Sequence, residues 1–259
     1  MKIKRAGHSG TLDPNVTGVL PIALNRGTRI LKLLLKSGKE YVCLMHLHKE
    51  ISEKEIQKVM KRFVGKIIQK PPVRSAVKRV ERERTIYYLE ILEIDGKDVL
   101  FKVGCEAGTY IRTLCFAIGK ESGTGAHMTQ LIRTKVARFN DTNWISLHDL
   151  KDAYEYYKGG DEKEIKKIIL PIETAVEYFP KIWVFDNCIN SLCHGADLNI
   201  PGISKLNEGI EKDDLVAAMT LKNELICVGN AEISSNEIMK KSKGKVIGSK
   251  KVFMLEKIY

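Results

Sequence analysis

Residues 7–18 read GHSGTLDPNVTG, and this stretch decides how the rest of the chain is interpreted. Three glycines, one proline and several other turn-forming residues predict an ordered loop here. The proline after Asp13 restricts the backbone, while the neighbouring glycines permit unusual dihedral angles and close approach of a ligand. Such a loop can hold a carboxylate rigidly at a cleft. Because most Asp-Pro turns are structural, a functional interpretation of Asp13 needs support from the remaining sequence.

The composition is that of an ordinary globular protein. The 259 residues allow one large and one small domain, and 44% of them are hydrophobic and 29% charged. The longest apolar run is broken by lysines in ILKLLLK and is too short for a membrane span. The basic N-terminus MKIKRAGHSG lacks the apolar stretch of a signal peptide. These features predict a cytoplasmic protein with no membrane partner.

The charge is unevenly distributed along the chain. The net charge is +11, and residues 1–180 hold 32 basic against 22 acidic residues, whereas residues 181–259 hold 11 against 10. A basic excess confined to one region indicates a bound polyanion, most often nucleic acid. A lysine-rich surface without such a partner explains the same counts, so charge alone does not decide between the two.

Cysteine and histidine spacing gives no metal-binding pattern. The six cysteines contain no CxxC pair, and they are predicted to be buried, inert thiols. His46 and His48 can share one face of a strand. Because the sequence offers no obvious third ligand, we interpret them as surface or RNA-facing residues.

Periodicity predicts both helices and strands up to residue 180. Helices are expected from Thr28 to about Gly38, in 51–66 with a Ser52–Glu55 capping box, and within 108–123 and 146–160. Strands are expected at 40–48 and in a hairpin of 85–94 with 97–106 around Asp95-Gly96. After Pro180 the pattern changes to short strands separated by turns, including VFMLEKI, which is typical of a small β barrel. The predicted domains are therefore 1–180 and 181–259.

Several ordered motifs carry a family resemblance. GHSGTLDPNVTGVLPIALNRGTR resembles the catalytic signature of the TruB family of pseudouridine synthases, and KEYVCLMHLH, PPVRSAVKR, CEAGTYIRTLC and GAHMTQLIRT follow in that family's order. CHGADLNIPGI resembles part of a PUA RNA-binding domain. KEYVC, RTIYYLEILE and CHGADL are most similar to the dyskerin-like group, the archaeal and eukaryotic synthases of H/ACA guide-RNA particles. The ending at Tyr259 without a lysine-rich tail favours an archaeal member.

The resemblance implies both a fold and an activity. The fold would be an α+β catalytic domain, with a mixed, mainly antiparallel sheet and flanking helices, followed by a small β-barrel PUA domain. The activity would be isomerisation of uridine to pseudouridine in the T loop of tRNA, in rRNA as part of an H/ACA particle, or in both. The implied partners are tRNA, guide RNA with target rRNA, and small accessory proteins. No metal or organic cofactor is implied.

The same resemblance assigns roles to individual residues. Asp13 matches the catalytic aspartate, which either attacks the nucleoside or abstracts a proton, and the sequence does not choose between these. Arg112 matches the arginine that pairs with it, and Tyr41 matches the tyrosine that stacks on the flipped base. Tyr110 and Leu131 match positions that line the uracil pocket.

Further residues are candidates for contacts with RNA. His8 matches a histidine that fills the gap left by the flipped base in stand-alone TruB enzymes. The candidate phosphate contacts are Lys39, Arg74, Lys78 and Arg79. The near-neutral C-terminal domain is expected to recognise RNA by shape more than by bulk charge.

The chain departs from the family pattern in two respects. Family members normally carry some tens of residues before the loop, including a KPxGxTS-like segment, and we expect a chain without them to be less stable and less soluble. His46 also lies where the dyskerin-like group often has arginine. Two alternatives remain open: a non-catalytic RNA-binding scaffold of the same fold, and a free-standing tRNA-modifying enzyme.

Overall fold

The computed structural model describes residues 2–72, 78–256 and 258. The chain divides into two compact units. The first unit comprises Gly7–Ala23 and Leu31–Trp144, and the second comprises Met1–Ala6, Leu24–Ile30 and Ile145–Tyr259. The predicted division into domains 1–180 and 181–259 stays a prediction.

The described part of the first 144 residues contains strands β1 to β9 and helices α1 to α3. The strands are β1 (Ala6–His8), β2 (Val16–Gly18), β3 (Ile22–Leu24), β4 (Lys39–Leu47), β5 (Gly65–Gln69), β6 (Arg82–Asp95), β7 (Asp98–Cys105), β8 (Ala126–Val136) and β9 (Phe139–Asn140). The helices are α1 (Leu31–Lys36), preceded by a 3₁₀ helix at Asn25–Ile30, α2 (Glu53–Lys61) and α3 (Ile111–Glu121).

The main sheet has the order β2-β8-β4-β7-β6-β5, and β9 pairs with β8. β2 runs parallel to β8, whereas the other neighbouring strands are antiparallel. β1 and β3 form a separate two-stranded sheet. The expected mixed, mainly antiparallel sheet with flanking helices is confirmed.

Alternation along β4 shows why the helices cover this sheet. Cys43, Met45 and Leu47 point to one face and are at most 1% exposed. Residues of α2 and α3 pack in the same core, among them Ile56 and Leu114. The apolar side chains on this face of the strand, with a period of two, pack against the apolar faces of the helices, with a period of 3.6. They form one core layer that supports the strands bearing the candidate site.

The predicted local signals in this region are also present. α2 begins after Ser52, and the side chains of Ser52 and Glu55 form the expected reciprocal capping box. β6 and β7 form the expected hairpin, and Asp95 pairs with Asp98 across its turn. These elements were predictable because each is determined by residues close together in the sequence.

The second unit contains its own helices and a second sheet. Its helices are α4 (Leu147–Lys158), α5 (Lys163–Ile168), α6 (Asp186–Cys193) and α7 (Ser235–Lys240), with 3₁₀ helices at Ile172–Val176 and Ile200–Gly202. Its strands are β10 (Lys181–Val184), β11 (Leu198–Asn199), β12 (Ile203–Leu206), β13 (Leu215–Met219), β14 (Leu225–Ala231) and β15 (Lys245–Val252). They are ordered β11-β15-β14-β13-β10-β12, and β10 is parallel to β13. The predicted α+β class is confirmed.

Three details of this unit were not predicted. The interpretation of residues after 180 as strands and turns missed α6, although Ile189, Leu192 and Cys193 are buried at helical spacing. It also missed α7, whose Ser234–Glu237 capping box is a recognisable start signal. β15 ends at Val252, and the described residues after it, 253–256 and 258, are not in a strand, so the expectation of a strand in VFMLEKI was wrong. Short helices present too few periodic residues to stand out among strands.

Two arginines tie distant parts of the second unit together. Arg26 donates from Nε to the Phe253 carbonyl and from Nη2 to the Met254 carbonyl, both at 3.1 Å. Arg29 donates from Nη1 to the Val252 carbonyl at 2.7 Å. The segment Leu24–Ile30 is thus fastened to the end of β15, more than two hundred residues later in the chain.

Within the described residues, no helix combines the length and the apolar character that a membrane crossing requires.

Candidate active site

The loop places Asp13 at the first position of a tight turn. The Asp13 carbonyl accepts a hydrogen bond from the Val16 backbone N–H at 2.9 Å. Aspartate is favoured at the first position of a type I turn and proline at the second, so Asp13 and Pro14 suit this conformation. The chain then enters β2, where Val16 pairs with Leu131 of β8. Asp13 therefore extends from a turn that is attached directly to the main sheet.

The backbone of the loop lies very close to the backbone of β8. The Val19 N–H donates to the Arg133 carbonyl at 2.7 Å. Gly18 has φ +119°, and a Cβ atom there would overlap the Arg133 carbonyl oxygen. Only glycine combines this dihedral angle with the required space, so Gly18 fixes how closely the loop lies against the sheet.

Arg112 meets Asp13 across 99 residues of sequence. Its Nη2 lies 3.2 Å from Asp13 Oδ2. Arg112 lies in the first turn of α3, and the two side chains are 58% and 64% exposed. An ion pair this exposed contributes at most about 1 kcal/mol to stability. The contact therefore adds little to stability, and what it supplies is a guanidinium N–H directed at the carboxylate.

Tyr41 lies on β4 beside β8, where it pairs with Arg133. The side chain is partly buried and packs against the core of the first unit. Burial, the largest cause, raises the pKa of Tyr41, and the Asp13 carboxylate acts in the same direction. The hydroxyl is consequently protonated at neutral pH and can donate a proton or a hydrogen bond.

Tyr110 and Leu131, the predicted pocket-lining residues, are both held firmly. Tyr110 immediately precedes α3, and its backbone N–H and carbonyl are both bonded to the Gln69 side-chain amide, at 2.9 and 3.1 Å. Leu131 is 9% exposed and lies between Val16 of β2 and Cys43 of β4. The β2 pairing brings Leu131 near the loop, while its function stays a prediction.

The remaining candidates are more dispersed. His8 is exposed at the end of β1, and the described residues include no hydrogen bond or ion pair between it and Asp13. Lys78 and Arg79 are exposed, and Arg79 donates to the Pro71 carbonyl at 3.3 Å. Arg74 lies outside the described residues. The roles assigned to these side chains stay predictions.

Lys39 is buried rather than presented to solvent. It is 9% exposed, and its ammonium donates to the carbonyls of Leu35 at 3.1 Å and Ser37 at 2.7 Å. Burial, followed by the positive charge of Arg133, lowers the pKa of Lys39 to about 8. These partners satisfy the ammonium within the protein, and its predicted role as a substrate contact stays untested.

Arg133 lies within the GAHMTQLIRT motif, and no role was predicted for it. It is 2% exposed, and it donates from Nε to the Val19 carbonyl at 2.8 Å and from Nη2 to the Gly10 carbonyl at 3.0 Å. Its guanidinium also acts on Tyr41, where it opposes the rise in the pKa that burial causes. Strand alternation places it on the same side of β8 as Leu131, and this was the signal that could have identified it.

Three of the six histidines form a separate cluster at the C-terminal end of β4. His46 Nδ1 lies 2.8 Å from Asp98 Oδ1, and His48 Nε2 lies 3.0 Å from His127 Nδ1. His127 was not anticipated as a neighbour. Even so, the described part of the chain contains no group of three or more side chains arranged to hold a metal ion.

Comparisons with known families cover nearly the whole chain. Residues 1–111 match the TruB family pseudouridylate synthase N-terminal domain, and residues 112–177 match the tRNA pseudouridylate synthase B C-terminal domain. Residues 180–253 match the PUA domain.

Curated relatives are similar over almost the full length of the chain. The probable tRNA pseudouridine synthase B of Pyrococcus abyssi is 55% identical over 256 residues, which are 98% of this chain and 77% of the relative. The protein of the same name from Methanothermobacter thermautotrophicus is 49% identical over 255 residues, covering 98% and 79%.

Two solved structures share the fold and are identical to this chain at about half of the aligned positions. A chain in the crystal structure of a Cbf5-Nop10-Gar1 complex superposes with a TM-score of 0.92 at 53% identity, covering 98% of this chain and 78% of that one. A chain in an H/ACA RNP bound to a substrate RNA containing 2'-deoxyuridine gives 0.92 at 50% identity, covering 99% and 78%. With identity above 50% over 98% of its residues and an Asp13–Arg112 pair on the expected loop and helix, the chain belongs to the TruB family of pseudouridylate synthases.

Proposed function

We propose that this protein isomerises uridine to pseudouridine within RNA, with Asp13 as the catalytic carboxylate. The observation that carries the proposal is the contact of Asp13 Oδ2 with Arg112 Nη2 at 3.2 Å, on a turn attached to the main sheet of a TruB-family enzyme. Both side chains are more than half exposed, so the carboxylate is accessible to a nucleotide.

The reaction makes specific demands on the site. The bond between uracil N1 and the ribose C1′ breaks, a bond from C5 to C1′ forms, the proton on C5 leaves, and N1 gains a proton. A base inside a duplex is out of reach, so the target nucleotide is flipped outward. Asp13 then either attacks the nucleoside or abstracts a proton, and both roles need an ionised, oriented carboxylate.

The neighbouring residues supply complementary functions. Arg112 orients the Asp13 carboxylate. Tyr41 offers a ring on which the flipped base stacks, and its protonated hydroxyl is available for proton transfer. Leu131 and Tyr110 form an apolar wall that limits the access of water.

Two RNA substrates are proposed, each supported by a different group of relatives. The curated relatives are named tRNA pseudouridine synthases, which supports the T-loop uridine of tRNA. The solved relatives lie in complexes with Nop10, Gar1 and H/ACA RNA, which supports guided modification of rRNA with small accessory proteins. We assign the anchoring of RNA to the PUA region after residue 180, phosphate contacts to the exposed Lys78 and Arg79, and the reaction to the cytoplasm.

A paired assay tests this proposal. The purified chain is incubated with tRNA alone and, separately, with accessory proteins and a matched guide and target RNA, and pseudouridine is measured. Asp13→Asn should abolish the product in whichever arm is active, while RNA affinity is retained because phosphate contacts supply most of it. The matched control Asp141→Asn changes another exposed aspartate and should behave as wild type.

Each outcome is informative. Product formation by Asp13→Asn near the wild-type rate would refute the assignment of Asp13. Tight RNA binding by the folded wild type without product in either arm would favour the non-catalytic scaffold.

A further inference from the structure

Arg133 is a buried cation with neutral partners. It is 2% exposed, and the described residues include no carboxylate in an ion pair with it. Removing an ionised group from water costs several kcal/mol unless its surroundings compensate for the loss. The compensation here comes from two backbone carbonyls, which accept from Nε and Nη2. Apolar side chains fill such positions at lower cost, so the guanidinium invites a functional explanation.

Its partners lie on both sides of Asp13. Gly10, which accepts from Nη2, precedes the aspartate, and Val19, which accepts from Nε, follows it. The guanidinium is planar and its N–H groups have fixed directions, so the two carbonyls are held at a fixed separation. The Asp13 turn lies between these two points and has correspondingly little freedom to move relative to β8.

The pairing of β8 with β4 connects this loop to Tyr41. Tyr41 and Arg133 are paired residues of adjacent strands, and the guanidinium opposes the rise in the pKa of Tyr41 that burial causes. One side chain therefore links the Asp13 loop to the strand position that carries the Tyr41 ring. Lysine carries the same charge but cannot reproduce the fixed directions in which the guanidinium donates.

Lys39 lies close enough to add a second positive charge, which makes the arrangement less favourable for stability. The positive charge of Arg133 is one cause of the lowered pKa of Lys39. Two buried cations near each other are costly in a low-dielectric interior. If residue 133 were needed only to fill the core, an apolar side chain would avoid this repulsion with Lys39.

We propose that Arg133 is a positioning residue for pseudouridine formation: its guanidinium fixes the two sides of the Asp13 loop relative to Tyr41 and so places the carboxylate against the flipped nucleotide. This inference rests on the proposed function. It predicts that altering Arg133 reduces turnover much more than RNA binding. A misplacement of about 1 Å at the reacting centre is enough to lower a rate roughly a hundredfold.

The experiment compares two variants with a control of similar stability. Arg133→Lys retains the charge and loses the planar set of N–H donors. Arg133→Gln is neutral, so it leaves no uncompensated charge and serves as the test if the lysine variant fails to fold. Val99→Ala is the control, because Val99 is fully buried on β7 and pairs with Met45 and Ile94, away from the loop. Conditions are chosen so that each variant and the control lie equally far below their melting temperatures.

Two measurements are made on the full chain, in the assembly that is active. The first is amide hydrogen exchange at Ser9, Val16 and Val19, whose N–H groups bond to Pro21, Asp13 and Arg133 respectively. Exchange rates of these three amides are normalised to those of strand β4. We expect the normalised rates to rise about tenfold or more in both Arg133 variants and to equal those of wild type in Val99→Ala. The second is steady-state kinetics, where kcat should fall about a hundredfold with KM within about threefold of wild type.

The outcomes separate this inference from the proposed function. Accelerated loop exchange in a protein whose wild type makes no pseudouridine would refute the proposed function and leave the structural effect of Arg133 standing. An active wild type whose folded Arg133→Gln variant has the same kcat as Val99→Ala would overturn the positioning role. A parallel loss of kcat in Val99→Ala would show that general destabilisation, rather than positioning, explains the effect.

Discussion

Lys39 should make the stability of this protein depend on pH in the alkaline range. Burial, together with the charge of Arg133, lowers the pKa of Lys39 from 10.5 to about 8 in the folded state. Below pH 8 both states carry the charge, and folding includes the full cost of burying it. Between pH 8 and 10.5 the folded state releases its proton while the unfolded state retains it, so stability rises with pH. The difference between the two pKa values corresponds to a rise of at most roughly 3.5 kcal/mol.

The comparison of Lys39→Met with wild type isolates this effect. Urea unfolding is measured for both between pH 7 and 10.5, because other groups titrate in the same range and only the difference is specific to Lys39. The wild type should gain stability relative to the variant across this window. Lys135→Met, which replaces an exposed lysine on β8, is the matched control and should give a constant difference. A constant difference for Lys39→Met as well would show that the ammonium reaches solvent in the folded state and refute the reasoning.

Two further changes test the geometry around Asp13. Arg112→Lys should lower the rate of pseudouridine formation tenfold or more, since the planar fork that orients the carboxylate is lost, with little change in Tm because the ion pair is exposed; an unchanged rate would show that Arg112 does not orient Asp13. Gly18→Ala should destabilise the protein by about 2 kcal/mol or more in thermal unfolding, since its φ is +119° and the new Cβ meets the Arg133 carbonyl; Gly65→Ala, with φ +105° and open space around the new Cβ, is the control for backbone strain alone, and equal losses would exclude the steric contribution.

The sequence predicted those elements whose determinants are local. The α2 capping box, the β6–β7 hairpin and the strand alternation of β4 each depend on residues within a few positions of one another, and all are present. α6 and α7 were missed because each is only a turn or two long, within a region dominated by strands.

The candidate site was predictable only through the family resemblance. Asp13 and Arg112 are separated by 99 residues, and neither periodicity nor spacing indicates that they meet. Arg133 is a residue of the candidate site whose burial the sequence did not predict. A charged residue in a strand is ordinarily interpreted as exposed, and its burial depends on carbonyls that a loop far away in the sequence supplies. Such partnerships become visible only once the tertiary structure is known.

The arginine contacts at the end of β15 have a consequence for how the molecule is made. Arg26 and Arg29 are synthesised more than two hundred residues before the carbonyls that they bind, at Val252, Phe253 and Met254. The second unit therefore cannot complete these contacts until residues 252–254 have been synthesised, and its folding must close a loop of more than two hundred residues. Contacts of such long sequence separation form slowly. The first unit, whose residues all lie within Gly7–Trp144, can fold while the rest of the chain is still being synthesised.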